Sequence, residues 1–286
     1  MKTRKLLYFT VIALLFGNIV VFWAAYRLDH RPLIVAFLDV GQGDSIFIES
    51  PTGSQILIDA GPVSNKVLTT LGVVMPIYDK NLDLVIVTHP DADHIGGFPA
   101  VLERYDVSAV MQSGVVQKNP TKIYQTLENK IIEKHLQTIL ARRGQRLLLG
   151  GGATLDILFP DRDVSKVTNT NDGSVVAKLT YGKDTFLFTA DAPNKIEQIL
   201  LGYRPNELQS EVLKVGHHGA RTSTGQSFLE AVAPTYAIIS AGKNNSYGHP
   251  FLEVIERLTI AGITVFSTID KGTIIFKSDG KGVDIK

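Results

Sequence analysis

The sequence predicts an α/β protein of four layers, αββα, in which two sheets lie face to face with helices outside, preceded by one N-terminal transmembrane helix. Three observations predict it. Strand-like meanders and helix-like segments recur in both halves of the chain, the pattern of sheets covered on their outer faces. The run "LDLVIVTH" (82–89) is apolar at consecutive positions, so both of its faces must be buried. The segment 6–26, "LLYFTVIALLFGNIVVFWAAY", carries no charge.

That N-terminal segment has 21 residues. At about 1.5 Å each they span about 31 Å, enough for a bilayer core. Residues 1–5 are basic and are expected to stay in the cytoplasm, although Arg27 and Arg31 beyond the far end work against that orientation. Trp23 and Tyr26 near one end suit a membrane interface. The expectation is a single-pass anchor with the membrane as partner, a short linker over 27–32, and one extracytoplasmic domain over 33–286. A cleaved signal peptide is the rival reading. Bulky Phe22 or Trp23 at the −3 position suits a peptidase poorly, and the apolar stretch is long. A buried helix is the third reading. The sequence points to no protein partner.

After the linker, "LIVAFLDV" (33–40), "DSIFIES" (44–50) and "SQILIDA" (54–60) are separated by "GQG" and "PTG", whose Gly and Pro supply tight turns. This is an antiparallel meander. The strand at 82–89 follows, then a helix over 98–105 and a strand through "VSAVMQS". Ile123, Leu127 and Ile131 recur at helical spacing within 121–134 and predict an amphipathic helix. Several short strands with glycine turns occupy 136–160. Two alternating runs around Gly182-Lys183 predict a hairpin. A helix over 193–201, strand "EVLKVGHH", helix "TGQSFLEAVA", strand "YAIISAG", helix "FLEVIERLTIAG" and two short strands complete the chain.

The net charge is +1, so a nucleic-acid role would have to rest on a local basic patch. Cysteine is absent, which excludes disulfides, thiolate metal ligands and cysteine nucleophiles together.

Of seven histidines, five fall in three short motifs that each follow an apolar run: His89 and His94, His217 and His218, and His249. Asp191 ends a fourth run, "FLFTAD". Strand ends gathered at one sheet edge are where α/β proteins place ligands. The spacing His89-x-Asp91-x-Asp93-His94 is the strongest signal. A buried cluster of carboxylates and imidazoles is costly without opposite charge. No run of Lys or Arg lies nearby in the sequence, and one or two divalent cations would supply that charge. Each motif also has a plainer reading. Asp191 and His249 could cap the helices that follow them. The 217–218 pair could be a surface turn, Lys243-Asn244-Asn245 a polar loop, and "GQGDS" a strand turn.

With "THPDADHIGG", "LFTADA" and "VGHHG" in view, the chain resembles the metallo-β-lactamase superfamily over residues 33–286. More narrowly it resembles the metallohydrolase domain of the ComEC competence proteins, through "FLDVGQGDSIFI", "ILIDAG", "NDGSVVAKL" and "GKNNSYGHP". The resemblance does not extend to the multi-helix channel of those proteins, so it does not imply a channel role. The resemblance implies a binuclear centre of two divalent ions, Mn²⁺ or Zn²⁺. His89 and Asp91 would bind one ion, Asp93 and His94 the other, and Asp191 would bridge them. His217 is favoured to complete the second site, with His218 beside it contacting substrate. Many relatives place a further histidine before the bridging aspartate, whereas this chain reads Asn169-Thr170-Asn171-Asp172-Gly173-Ser174. Asp91 and that region shift the donor set towards oxygen, which favours Mn²⁺ more than a three-histidine site would.

The implied reaction is metal-assisted hydrolysis of single-stranded DNA or another phosphodiester. Asp93 would orient the nucleophile. His218 or His249 would assist the leaving group. Lys243, Asn244 and Ser174 would hold the phosphate, with Asp44 near the metals. The alternatives are hydrolysis of a non-phosphate ester or amide, and a binding module that keeps metals for structure.

Overall fold

In a computed structural model the chain forms two facing sheets flanked by helices; the structure describes residues 2–29, 31–203 and 207–286. After helix α1 (Lys2–Asp29), the first sheet is built from β1 (Leu33–Phe37), β2 (Ile46–Glu49), β3 (Gln55–Ile58), β4 (Asn81–Val87), β5 (Asp106–Gln112) and β6 (Gln137–Leu140). The C-terminal strands β14 (Ile274–Ser278) and β15 (Val283–Ile285) return to its other edge, giving the eight-stranded order β15-β14-β1-β2-β3-β4-β5-β6. The second sheet has seven strands, β13-β12-β11-β10-β9-β8-β7. They are β7 (Arg146–Gly150), β8 (Ala153–Phe159), β9 (Val176–Tyr181), β10 (Asp184–Phe188), β11 (Val212–Lys214), β12 (Tyr236–Ile239) and β13 (Thr264–Ser267). β1, β2 and β3 pair antiparallel, as the meander predicts. From β3 to β6, and from β10 to β13, every pairing is parallel.

The two-residue period of a strand sorts side chains into layers. In β1, Leu33, Val35 and Phe37 enter the core between the sheets, while Ala36 faces the outer layer. Phe186 and Phe188 of β10 point inward and Leu187 outward. Phe37 packs on Phe188 and Phe276 at ring separations of 6.1 and 5.9 Å, joining the sheets. Each buried Phe contributes about 1.5–3 kcal/mol by leaving water. The outer face of the first sheet is covered by α2 (Lys66–Val74), α4 (Phe98–Arg104) and α5 (Lys122–Glu133). That of the second is covered by α6 (Asn194–Leu201), α7 (Gln226–Val232) and α8 (Leu252–Ile260). Two single-turn helices complete the set: α3 (Ala92–Ile95) beside the first sheet and α9 (Thr268–Lys271) after β13.

Three expectations change. The membrane-spanning helix at 6–26 is corrected: among the described residues no helix is long and apolar enough to cross a membrane. The single-pass, extracytoplasmic placement depended on that helix and is not supported. α2 is an addition, because "KVLTTLGVV" mixes β-branched residues with Gly72 and buries only Val67 and Leu71. The last segment holds three strands, not two, because β13 joins the second sheet before β14 crosses to the first.

Candidate metal centre

Both parallel stretches end on the same side, and the site forms there. From the first sheet, Asp59 follows β3 and His89 follows β4; Asp93 and His94 lie on α3. From the second, Asp191 follows β10, Lys214 closes β11, and His217 and His218 occupy a 3-10 turn at Gly216–Gly219. The backbone is bent to bring them together. Asp59, Ala190, His217 and His218 all adopt left-handed φ, between 46° and 55°. Such conformations cost on the order of 1–3 kcal/mol each and persist where surrounding structure enforces them. Gly43 (φ +117°) lets the 41–45 turn press on α3, because a Cβ there would lie 1.9 Å from the Asp93 carbonyl oxygen.

Three imidazoles are oriented alike. His94 Nδ1 donates to Asp59 Oδ2 at 2.8 Å. His218 Nδ1 donates to the Ser240 carbonyl at 2.9 Å. His89 Nδ1 lies 3.0 Å from Thr88 Oγ1, whose own hydroxyl proton goes to Asp59 Oδ2 at 2.6 Å. With Nδ1 tied outward in each ring, Nε2 turns into the cluster. His94 Nε2 lies 3.3 Å from Asp191 Oδ1, and His89 Nε2 lies 3.9 Å from Asp191 Oδ2. His218 Nε2 is 3.4 Å from Asp93 Oδ2 and 3.5 Å from Asp191 Oδ2. All three Nε2 atoms and Asp191 Oδ1 are buried without a hydrogen-bond partner among the described residues. Buried ring nitrogens and a carboxylate oxygen without hydrogen-bond partners, converging on one another, fit a divalent cation once the rings give up their protons. The sets whose donor atoms lie close enough to share one ion are His89–His94–Asp191, Asp93–His94–His218, Asp44–Asp191–His218 and Asp44–Asp59–His94.

The electrostatics agree. Burial pushes His94 and His218 down, but Asp191 with Asp59, and Asp191 with Asp44, outweigh it and hold both rings well above the usual histidine range. Burial raises Asp191, yet His218 and His94 bring it well below the usual carboxylate range. Asp93 is likewise lowered, burial being overcome by His218 and His94. His89 falls to about 4 through burial and its neighbour His94. Protons on His94 and His218 therefore balance the carboxylates that a cation would balance when bound.

The structure places the sequence-derived residues unevenly. His89, Asp93, His94 and Asp191 lie together in one cluster. Of the paired histidines, His218 lies in the cluster and His217 at its rim. His218 is 1% exposed and points into the cluster, whereas the His217 side chain is 26% exposed and falls outside every close donor set among the described residues. The tight turn aims one ring in and the next along the rim. Asp91 also falls outside those sets; its Oδ2 is 3.7 Å from His89 Nε2, and its Oδ1 accepts from Thr170 Oγ1 at 2.6 Å. Burial raises its pKa despite that hydrogen bond. Asp44 faces the cluster, paired with Lys214 and 3.3 Å from His218 Nδ1; burial is outweighed by Lys214, and Asp44 titrates at about 2. Ser174 is fully buried, and its hydroxyl has no hydrogen-bond partner among the described residues. His249 Nδ1 is also buried and unpartnered, and burial with His217 and His218 lowers this ring to about 4. Lys243 and Asn244 lie exposed on the loop before His249.

Two residues escape sequence reading. Asp59 orients both His94 and Thr88 from a fully buried position. Lys214 is also fully buried, donates to the Ala190 carbonyl at 3.2 Å and lies 4.0 Å from Asp191 Oδ1. The premise that no basic residue neutralises Asp191 is thus corrected. A lone lysine inside the apolar run "EVLKVG" was the available signal.

Sheet architecture and donor cluster together define a metallohydrolase-type site, and comparison with known proteins gives the family. The metallo-β-lactamase superfamily profile matches residues 38–243, and the chain belongs to that superfamily. It is 32% identical over 265 residues to ComE operon protein 3 of Bacillus subtilis, covering 85% of this chain and 33% of that protein. It is 29% identical over 264 residues to competence protein ComA of Neisseria gonorrhoeae, covering 91% and 35%. The chain thus spans about a third of the length of these relatives. Among solved structures it is similar to the metallohydrolase Igni18 of Ignicoccus hospitalis, with TM-score 0.51 and 17% identity over 85% of this chain and 98% of that one. That likeness supports the two-sheet fold alone.

Proposed function

We propose that this chain is a binuclear metal-dependent phosphodiesterase that cleaves single-stranded DNA. The observation that carries the reading is the convergence of unpartnered Nε2 atoms from His89, His94 and His218 on Asp191. Charge supports two ions. Five aspartates, Asp44, Asp59, Asp91, Asp93 and Asp191, gather at the cluster, and the buried Lys214 ammonium pairs with Asp44 and lies near Asp191; the four negative charges that remain match two dications. The superfamily's hydrolytic chemistry and the competence-type names of the relatives support a phosphodiester over a lactam.

Two divalent cations, when bound, acidify water and polarise the phosphoryl oxygen. His89, His94, Asp191 and His218 would hold them, with Asp93 at the partly exposed side of the cluster. Asp93 Oδ2 orients the attacking water and accepts its hydrogen bond. His249, neutral near pH 7 because its pKa lies near 4, offers the leaving oxygen a ring hydrogen bond and no net charge. Lys243 attracts the anion from the rim. Asp91, held by Thr170, adds an oxygen donor beside His89 and tilts the preference towards Mn²⁺.

The test is turnover of bis-p-nitrophenyl phosphate and of a single-stranded oligonucleotide by the full chain loaded with Mn²⁺ or Zn²⁺, with nitrocefin in parallel. Hydrolysis of both phosphodiesters and not of nitrocefin is expected. A metal-loaded protein that cleaves neither would sink the reading.

A further inference from the structure

The loop that carries His249 has a second feature which the hydrolytic reading does not use. Its sequence, "SYGHPF", sets rings at alternate positions: Tyr247, His249 and Phe251. Tyr247 stacks on His249 with centroids 5.7 Å apart and planes 21° from parallel. His249 in turn lies 5.4 Å from His217, whose Nε2 is 3.5 Å from Asp191. The other side of His249 meets Phe251 edge-on at 5.4 Å, and the Arg221 guanidinium sits 4.0 Å over the Phe251 ring. A continuous ledge of rings therefore runs from the donor cluster to the surface, where Tyr247 is 61% exposed.

This exposure has no role in the core. A large aromatic left in water on a loop gains nothing by burial there. Nor is the loop slack. The Asn245 amide donates to the carbonyls of Gly242 and His249 at 2.9 and 2.5 Å. Its oxygen accepts from the amides of Tyr247 and His249 at 3.2 and 3.0 Å. One side chain thus closes the loop with four hydrogen bonds to its backbone, and the stack on His249 sets the Tyr247 ring. Lys243 lies exposed on the same loop, while Arg221 is paired with Glu253 at 3.1 Å. An exposed, preorganised ring on a loop that also presents Lys243, next to a phosphodiester site, is the arrangement that binds single-stranded nucleic acid. Each base has a π-face to stack, and the backbone follows the positive charge.

We infer that Tyr247 is a base-stacking platform that selects single-stranded polynucleotide over other phosphodiesters, and this rests on the phosphodiesterase reading above. Tyr247 acts on binding: it holds the base beside the scissile phosphate.

The experiment is fluorescence anisotropy with the full chain, held metal-free so that nothing is cleaved. The probes are labelled oligothymidylate, oligouridylate and an abasic oligonucleotide of equal length. The wild-type chain should bind the base-bearing probes about tenfold more tightly than the abasic one, as expected for one stacked base. Tyr247→Ala should bring that ratio close to one, and Tyr247→Phe should keep it. Thymidylate against uridylate separates DNA from RNA as the preferred strand. A wild-type ratio near one, or a ratio that survives Tyr247→Ala, overturns the platform. Turnover of bis-p-nitrophenyl phosphate, which carries no base, is measured separately on metal-loaded protein. If that fails while the binding ratio holds, the hydrolytic reading falls and the platform stands.

Discussion

Replacing Asp59 by Asn changes one atom in a residue that touches no expected substrate, yet it should weaken metal binding. Asp59 Oδ1 accepts the Thr88 amide at 2.9 Å, and Oδ2 accepts both the Thr88 hydroxyl at 2.6 Å and His94 Nδ1 at 2.8 Å. All three partners are donors. Asn supplies one oxygen and one NH₂, so one donor must face another. If the NH₂ faces His94, the ring is driven to the tautomer with its proton on Nε2, the atom that points at Asp191. If it faces Thr88, a buried amide loses its acceptor, which costs about 1–3 kcal/mol. Outer carboxylates of this kind change metal affinity by about 10- to 100-fold, or about 1.4–2.8 kcal/mol. Isothermal titration of metal-free protein with Mn²⁺ and Zn²⁺ measures it directly. Thermal melts of the metal-free variant should show a loss of stability in the same direction. Binding within twofold of wild type in Asp59→Asn would refute the claim that Asp59 sets the His94 tautomer.

Metal affinity should rise with pH, because His94 and His218 hold protons well above the usual histidine range and must release them to bind. Titrations at pH 7 in buffers of different ionisation enthalpy should show release approaching two protons, and release of none would count against the assignment. Glu197 gives a separate pH effect. Burial raises its pKa from 4.5 to about 7 although the amides of Thr224 and Gly225 donate to it. The folded chain then holds this proton more tightly than the unfolded one. Its contribution is full below about pH 4.5 and is lost as the pH climbs through about 7, a swing of about 3 kcal/mol. Glu197→Gln should flatten that part of the stability profile in denaturant melts at pH 4.5 and 8, and an unchanged slope would contradict it. Asp91→His should lower the ratio of Mn²⁺- to Zn²⁺-supported activity by replacing a hard donor with imidazole. An unchanged ratio would mean that Asp91 does not set metal preference.

The layers were legible because strand period and apolar runs report burial directly. "LIVAF" and "FLF" divide their side chains between the inner and outer cores as their alternation implies. His89, Asp93, His94 and Asp191 were legible because each sits just past such a run. The order of His217 and His218 was not. It depends on two consecutive left-handed residues, a conformation sterics disfavour and no propensity announces. Asp59 and Lys214 were hidden for a different reason. Their partners lie 35 and 170 positions away, so their roles exist only after the chain has folded.

The two halves of the donor cluster come from different sheets. Residues 44–94 supply Asp44, Asp59, His89, Asp93 and His94, and nothing from 191 onwards is present until the second sheet is made. During synthesis the first half emerges with its imidazoles and carboxylates unopposed for nearly a hundred residues. A metal ion captured then would meet an incomplete shell and bind weakly. Tight capture must therefore come late, after Asp191 and His218 have docked, and the captured ion would clasp one sheet to the other. Withholding metal from the finished protein would loosen that seam first, so amide exchange at the ends of β4 and β11 should report on metal supply before exchange at any strand centre does.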